Sequence, residues 1–336
     1  MNTDYAQELL IALRAARLAA QVCTQVQATL VTTDALEKKD RSPVTVADFA
    51  VQAVVCSLLA EHFPSDAVVG EEGATELRQP TENAAIPRAV VDQVRRTLGR
   101  DVSAAQVFDW IDRGAGDGTT RRYWTLDPVD GTKGFLRRQQ YAVALALIED
   151  QEVKLGVLAC PNLSNGTGVG VIAAAVRGQG ARLLSDGLSS PDSHLDFASA
   201  ARLRVSSVSD PAAARFCESV DSGHSDQAAA EAIARRLGIT QPGLRMDSQV
   251  KYAAVARGDA QIYLRLPAQQ GYEEKVWDHA AGSIVVQEAG GIVTDIAGKP
   301  LDFSRGRTLA NNRGIIASNL ALHRPVLDAV AAVTSR

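Results

Sequence analysis

Two aspartates three residues apart, Asp127 and Asp130, close a short apolar run in Trp124-Thr-Leu-Asp127-Pro-Val-Asp130-Gly-Thr132-Lys-Gly134-Phe. Carboxylates carried by a buried strand into a glycine-rich turn suit a hard cation beside a phosphate. The oxygens ligate the cation, and glycine lets backbone N–H groups approach the anion. The same residues also make an ordinary solvated turn. Two other places repeat the pattern: a predicted strand over 67–69 runs into Gly70-Glu71-Glu72-Gly73, and Trp277-Asp278-His279 opens a helix. Glu71, Asp127, Asp130 and Asp278 gathered in one place would repel one another, and a cation would relieve this. An all-oxygen set without Cys or His favours Mg²⁺, with Mn²⁺ or Ca²⁺ as chemical relatives, and disfavours zinc. Two or more such ions activate water and steady the leaving oxygen of a phosphate ester. Thr132 would orient that water or cap the following turn.

The elements around these residues follow from periodicity. Residues 4–30 have the spacing of a long amphipathic helix. Pro43 is read as a helix breaker, Thr45 as the N-cap of the next helix, and Asp48 as a carboxylate in its first turn. Weakly helical pieces lie near 87–98 and 105–112. Runs 141–148 and 153–159 form one predicted hairpin, and 168–176 with 181–184 a second. Beyond a Ser- and Asp-rich loop, strands alternate with helices: strand 216–220, a helix to Leu237, a helix after Asp247-Ser248, strand 261–266, and a helix ended by Gly290-Gly291. Strands 292–295 and 314–317 precede a final helix capped by Asn319. The expected division is an N-terminal α+β part over 1–160 and a C-terminal α/β part over 161–336.

Bulk properties exclude several classes. The chain has 336 residues, 46% hydrophobic and 22% charged, with 35 basic and 39 acidic side chains and a net charge of −4. That balance gives no bulk attraction to a nucleic-acid polymer or an anionic membrane. Cys23, Cys56, Cys160 and Cys217 are scattered without zinc spacing and read as small buried side chains in a reducing compartment. The start lacks the pattern of a secretory signal. The longest nearly apolar run falls short of the about 20 residues that span a bilayer. A cytoplasmic protein is therefore expected, with a monomer as the default state. Walker, dinucleotide-binding and nucleophile-elbow motifs are missing from the sequence, which leaves water attack on a metal-bound phosphate as the simplest chemistry.

In combination, Gly70-Glu71-Glu72, Asp127-Pro-Val-Asp130-Gly-Thr132 and Trp277-Asp278-His-Ala-Ala-Gly282 resemble the three signatures of the inositol monophosphatase superfamily, Mg²⁺-dependent, lithium-sensitive phosphatases. Five further stretches resemble its 3′(2′),5′-bisphosphate nucleotidase branch: Lys39-Asp-Arg-Ser-Pro-Val-Thr-Val-Ala-Asp48, Asp130-Gly-Thr-Lys-Gly-Phe-Leu-Arg137, Ser222-Gly-His224, Asp247-Ser-Gln-Val-Lys-Tyr252 and Tyr263-Leu-Arg-Leu-Pro267. The resemblance runs from about residue 5 to 330. It implies a five-layered αβαβα fold with α+β and α/β parts and a site between them. It implies Glu71, Asp127, Asp130, Asp278 and the Val129 carbonyl as ligands for two or three Mg²⁺ ions, and Asp48 with Thr132 as the pair that activates water. Gly131 and Thr132 N–H groups would hold the scissile phosphate, with Asp278 on the leaving side. Ser248 and Lys251 would take a second phosphate, and Gly223, His224 and Arg265 would line the nucleoside. Standing alone, Ser248 and Lys251 read as a helix cap and a solvated lysine. The implied substrate is a small bisphosphonucleotide, adenosine 3′,5′-bisphosphate or its phosphosulfate analogue; inositol phosphates and a non-catalytic nucleotide sensor are the other readings.

Overall fold

Long aliphatic side chains alternate with alanines along the central strands, and the two-residue period of a strand sends them to opposite faces. In β3 (Ala142–Glu149), Val143, Leu145 and Leu147 enter one core, while Ala142, Ala144 and Ala146 enter another. The computed structural model describes residues 4–30, 42–79, 85–188, 195–220, 226–267 and 271–334. Its first sheet holds β1 (Ala67–Gly70), β2 (Arg122–Asp130), β3, β4 (Glu152–Ser164), β5 (Val169–Val176), β6 (Gly180–Leu184) and β7 (Ala201–Arg202) in chain order. β1 and β2 run parallel, and every later pair is antiparallel. Asp150 and Gln151, both at positive φ, make the two-residue turn between β3 and β4.

The large-residue face packs on α1 (Ala6–Leu30) and α2 (Ser42–His62), with α3 (Ala85–Leu98) and α4 (Ala104–Asp112) outside α2. After α5 (Thr132–Leu136) and α6 (Gln227–Leu237) come α7 (Val250–Arg257) and α8 (Ala280–Glu288), the middle helical layer. The alanine face lets α8 come close. A Cβ on Gly156 would meet Ile284 at 2.5 Å, and one on Gly282 would meet the Tyr252 ring at 2.2 Å. A second sheet covers α7 and α8, in the order β11 (Gly291–Thr294), β12 (Ile315–Asn319), β10 (Ile262–Arg265), β8 (Phe216–Glu218), β9 (Leu244–Arg245). Its far face packs on α6 and α9 (Leu320–Thr334), the latter capped by Asn319 Oδ1 accepting from the Leu322 N–H at 3.0 Å. Three apolar cores divided by two sheets give the αβαβα layering that the family resemblance implies.

Some expectations shift in register. Residue 160 lies inside β4, and the first sheet continues to Arg202, so no element boundary falls at that position. The second helix starts at Ser42, not after Thr45, so Asp48 sits beyond its first turn. Proline is tolerated there because the first N–H groups of a helix have no partner to lose. α1 and the Val44–His62 part of α2 are long and apolar enough to cross a bilayer, contrary to the reading from apolar runs. In the fold, 61% and 83% of their most apolar windows are buried against other protein elements. All four cysteines are free and buried, as expected.

Candidate active site

A β-bulge places the two central aspartates together. Asp127 pairs with Ala144 and Asp130 with Ala142, so β2 spends three steps where β3 spends two. In a regular strand, residues three apart face opposite sides; the extra residue puts both carboxylates on one side. β2 ends at Asp130, and the next residue, Gly131, is left-handed at φ 92; a Cβ there would meet the Ser248 Cβ at 2.9 Å. Thr132 begins the short α5 and is exposed.

Glu71 is fixed from behind by Gln52, a fully buried residue of α2. Gln52 Nε2 donates to the Glu72 carbonyl at 2.6 Å and the Ile111 carbonyl at 2.7 Å, and its Oε1 accepts from the Glu72 N–H at 3.1 Å. Arg307 joins this strand end to the Trp277-Asp278 segment. It donates to the Gly70 carbonyl at 2.6 Å, and its guanidinium lies 4.7 Å above the Trp277 ring. Gln249 closes the circle: its N–H donates to Asp130 Oδ2 at 2.6 Å, and its side chain donates to the Trp277 carbonyl and accepts from the Gly282 N–H.

These elements enclose a cavity of about 300 Å³ lined by Glu71, Asp127, Val129, Asp130, Gly131, Thr132, Lys133, Ser219, Asp247, Ser248, Gln249, Lys251, Tyr263, Arg265, Tyr272 and Asp278. Acidic side chains meet cationic ones across it. Lys251 is not a solvated lysine: it is 4% exposed, and its ammonium lies 5.2 Å from the centre of the Tyr263 ring. Burial lowers its pKa. Ser248 takes the left-handed conformation at φ 70, rare for a residue with a side chain, and its hydroxyl accepts from the Val250 N–H at 3.2 Å. α7 begins at Val250, just past it. Arg137 spans to Asp247 at 2.5 Å.

Crowding raises the acidic groups. Burial, with the charges of Glu72 and Asp130, moves Glu71 up to about 7; solvent still reaches it through the cavity. Burial also moves Asp278 up to about 7, against the lowering effect of His279 and Arg265. Asp127 and Asp48 are pushed well above the carboxylate range by burial, then by neighbouring acids: Glu71, Asp130, Asp278 and Asp48 act on Asp127, and Glu72 and Glu71 on Asp48. Asp127 Oδ1 is buried with no hydrogen-bond donor. A buried carboxylate oxygen without a donor, among mutually repelling acids, fits a hard divalent cation.

The sign of the pH response follows. Folded-state pKa values near 7 exceed the about 4 of an unfolded carboxyl, so the folded chain holds more protons between these values. Metal-free stability is therefore lost as pH rises from about 4 through 7. A cation takes the protons' place, so the magnesium-induced gain in melting temperature is expected to grow from pH 5.5 to 7.5. Scanning fluorimetry with Mg²⁺ or EDTA checks this; equal gains at both pH values would contradict it.

Of the residues singled out from the sequence, Glu71, Asp127, Val129, Asp130, Gly131, Thr132, Ser248, Lys251, Arg265 and Asp278 share this cavity. Asp48 is not among the lining residues; it is buried nearby, close enough to act electrostatically on Asp127. Gly223 and His224 lie outside the described residues. Sequence reading missed Gln52, Gln249, Glu274 and Arg307. The glycines at 70 and 114 are the signal for the first, since a Cβ at either would strike Gln52.

Two sheets between helical layers, with an acid-rich cavity at their strand ends, form the architecture of a metal-dependent phosphoesterase. The chain belongs to the inositol monophosphatase family, which it matches over residues 4–334. This is a family of metal-dependent enzymes that act on small phosphorylated molecules. A relative in Schizosaccharomyces pombe, a 3′(2′),5′-bisphosphate nucleotidase, is 42% identical over 351 residues, covering 100% of this chain and 98% of that protein. One of the same name from Oryza sativa is 43% identical, with 98% and 95% covered. Among solved structures, CysQ from Bacteroides thetaiotaomicron superposes with a TM-score of 0.66 at 21% identity, covering 95% of this chain and 99% of that one. An inositol monophosphatase from Zymomonas mobilis gives 0.63 at 20% identity, with 97% and 98% covered. These structural likenesses concern the fold.

Proposed function

We propose that this chain hydrolyses the 3′-phosphate of adenosine 3′,5′-bisphosphate to AMP and phosphate, and acts on the 5′-phosphosulfate analogue in the same way. The observation that carries the reading is Lys251. A buried ammonium facing the same cavity as the carboxylates suits a second phosphate that a monophosphate substrate would not supply. The names of the full-length relatives support it.

Glu71, Asp127, Asp130, Asp278 and the Val129 carbonyl would hold two or three Mg²⁺ ions. When bound, magnesium supplies positive charge that offsets the phosphate oxygens and acidifies water. Asp48 and the Thr132 hydroxyl orient the attacking water, and its proton passes to the Asp48 carboxylate. The new P–O bond forms as the bond from phosphorus to the ribose 3′-oxygen breaks; that oxygen leaves on the Asp278 side and takes a proton from solvent. The Gly131 and Thr132 N–H groups receive the phosphoryl oxygens, because the left-handed Gly131 turns the backbone at that point. Ser248 and Lys251 hold the 5′-phosphate, and Gly223, His224 and Arg265 border the nucleoside. A cytoplasmic location, in keeping with four buried thiols, belongs to the same proposal, and a monomeric state is proposed with it. Phosphate release from adenosine 3′,5′-bisphosphate, AMP and inositol 1-phosphate, each with Mg²⁺ and with EDTA, tests it.

A further inference from the structure

Behind Asp278 lies a buried chain of polar groups that the chemistry above does not use. The Tyr252 hydroxyl and His279 Nδ1 are 2.8 Å apart, and His279 Nε2 lies 3.1 Å from Glu274 Oε2. A carboxylate only accepts, so Nε2 carries a proton and donates to Glu274, while Nδ1 shares its hydrogen bond with the tyrosine hydroxyl. The other carboxylate oxygen, Oε1, accepts from Arg265 Nε at 2.9 Å. Tyr252, His279 and Glu274 are 1%, 0% and 6% exposed. Glu274, Asp278 and His279 are close enough together to suggest a cation site of their own. The hydrogen bonds argue otherwise, since His279 and Arg265 already take up the Glu274 oxygens.

Arg265 has a second carboxylate within reach. Its Nη2 makes a long ion pair with Asp278 Oδ2 at 3.7 Å, beyond hydrogen-bond distance and within easy closing distance. Arginine and carboxylate normally close into a short, often bidentate pair. Here the guanidinium is held by its Nε edge on Glu274, and the gap to Asp278 stays open. We propose that Glu274, fixed by His279 and Tyr252, is a positioning residue that keeps Arg265 off Asp278. Asp278 is thereby left available to a divalent cation, and Arg265 keeps its place in the cavity lining.

The inference rests on Asp278 being a cation ligand, and the test separates the two claims. The probe is Mg²⁺ alone, titrated into the full chain while the melting temperature is followed. In Glu274→Gln the side chain keeps its shape and loses its charge, and Arg265 is expected to close on Asp278. The Mg²⁺ midpoint should rise about fivefold or more, the scale of one charge pair near a protein surface. In the double variant Glu274→Gln/Arg265→Met the guanidinium is gone, and the midpoint should return to within about twofold of the wild type. The KM for adenosine 3′,5′-bisphosphate should stay raised in both variants. A merely structural role for Glu274 would not give that recovery. Tyr252→Phe removes only the hydroxyl at the far end of the chain; it should raise the midpoint by less than Glu274→Gln, and it serves if the latter does not fold. An unchanged midpoint in Glu274→Gln, or in Tyr252→Phe where the first variant is unfolded, would overturn the inference, as would a double variant no better than the single. A wild-type protein that shows no Mg²⁺ shift would instead overturn the cation reading itself.

Discussion

Asp127→Asn is expected to raise the melting temperature of the magnesium-free protein and to lower its phosphatase turnover by about 10³-fold or more, the several kcal/mol that a bound cation contributes to the reaction barrier. Both effects have one cause. Asp127 is 3% exposed, has an oxygen without a donor, and sits among Glu71, Asp130 and Asp278. Its ionised form is costly in the magnesium-free protein, and an amide of the same shape removes that cost. The amide also removes a ligand charge, so the magnesium-induced rise in melting temperature should largely vanish. Because Asp127 is held above the usual carboxylate range, the loss of metal-free stability from pH 5 to 7 should be shallower in the variant. Melting curves in EDTA across that range, with steady-state rates at saturating Mg²⁺, check both. A variant less stable than wild type in EDTA would show that the aspartate holds the fold together rather than straining it for the sake of a cation.

Lys251→Met should separate binding from chemistry. The methionine keeps the stem and the contact with Tyr263 while removing the ammonium. The KM for adenosine 3′,5′-bisphosphate should rise about 10- to 100-fold, the equivalent of about 1.5–3 kcal/mol for a hydrogen bond to a charged group. Turnover of inositol 1-phosphate, which has no second phosphate to place there, should be unaffected. Melting temperature should hold or increase, because the ammonium lies against a ring face and its burial already lowers its pKa. Equal losses on both substrates would assign Lys251 to the scissile phosphate.

The acidic residues that line the cavity were legible because each sits in a short motif whose chemistry is local. Asp127, Asp130, Glu71 and Asp278 stand at strand or helix ends, where side chains leave a regular element and point at a common space. The helices and strands were legible for a similar reason, since their periods write themselves directly into the apolar pattern; the order of the layers came from the family resemblance. What the sequence did not reveal is how the pieces are held to one another. Gln52 reaches Glu72 across 20 residues, Gln249 reaches Asp130 across 119, and Arg307 reaches Gly70 across 237. No local period marks such contacts. The bulge in β2 was hidden too, although it decides that Asp127 and Asp130 face one way. Asp48 was misplaced by a turn because Pro43 reads as a breaker in isolation, while the first turn of a helix accepts it. Standing alone, without the family resemblance, Lys251 looked solvated because its neighbours in sequence do not show that Tyr263 lies against it.

The most direct test of the central claim is phosphate release from adenosine 3′,5′-bisphosphate, AMP and inositol 1-phosphate by the purified chain, each with Mg²⁺ and with EDTA. Rapid Mg²⁺-dependent release is expected from the bisphosphate with 5′-AMP as the product, slow release from AMP and inositol 1-phosphate, and none of consequence in EDTA. No release from the bisphosphate alongside efficient hydrolysis of inositol 1-phosphate, or rates indifferent to EDTA, would contradict that claim.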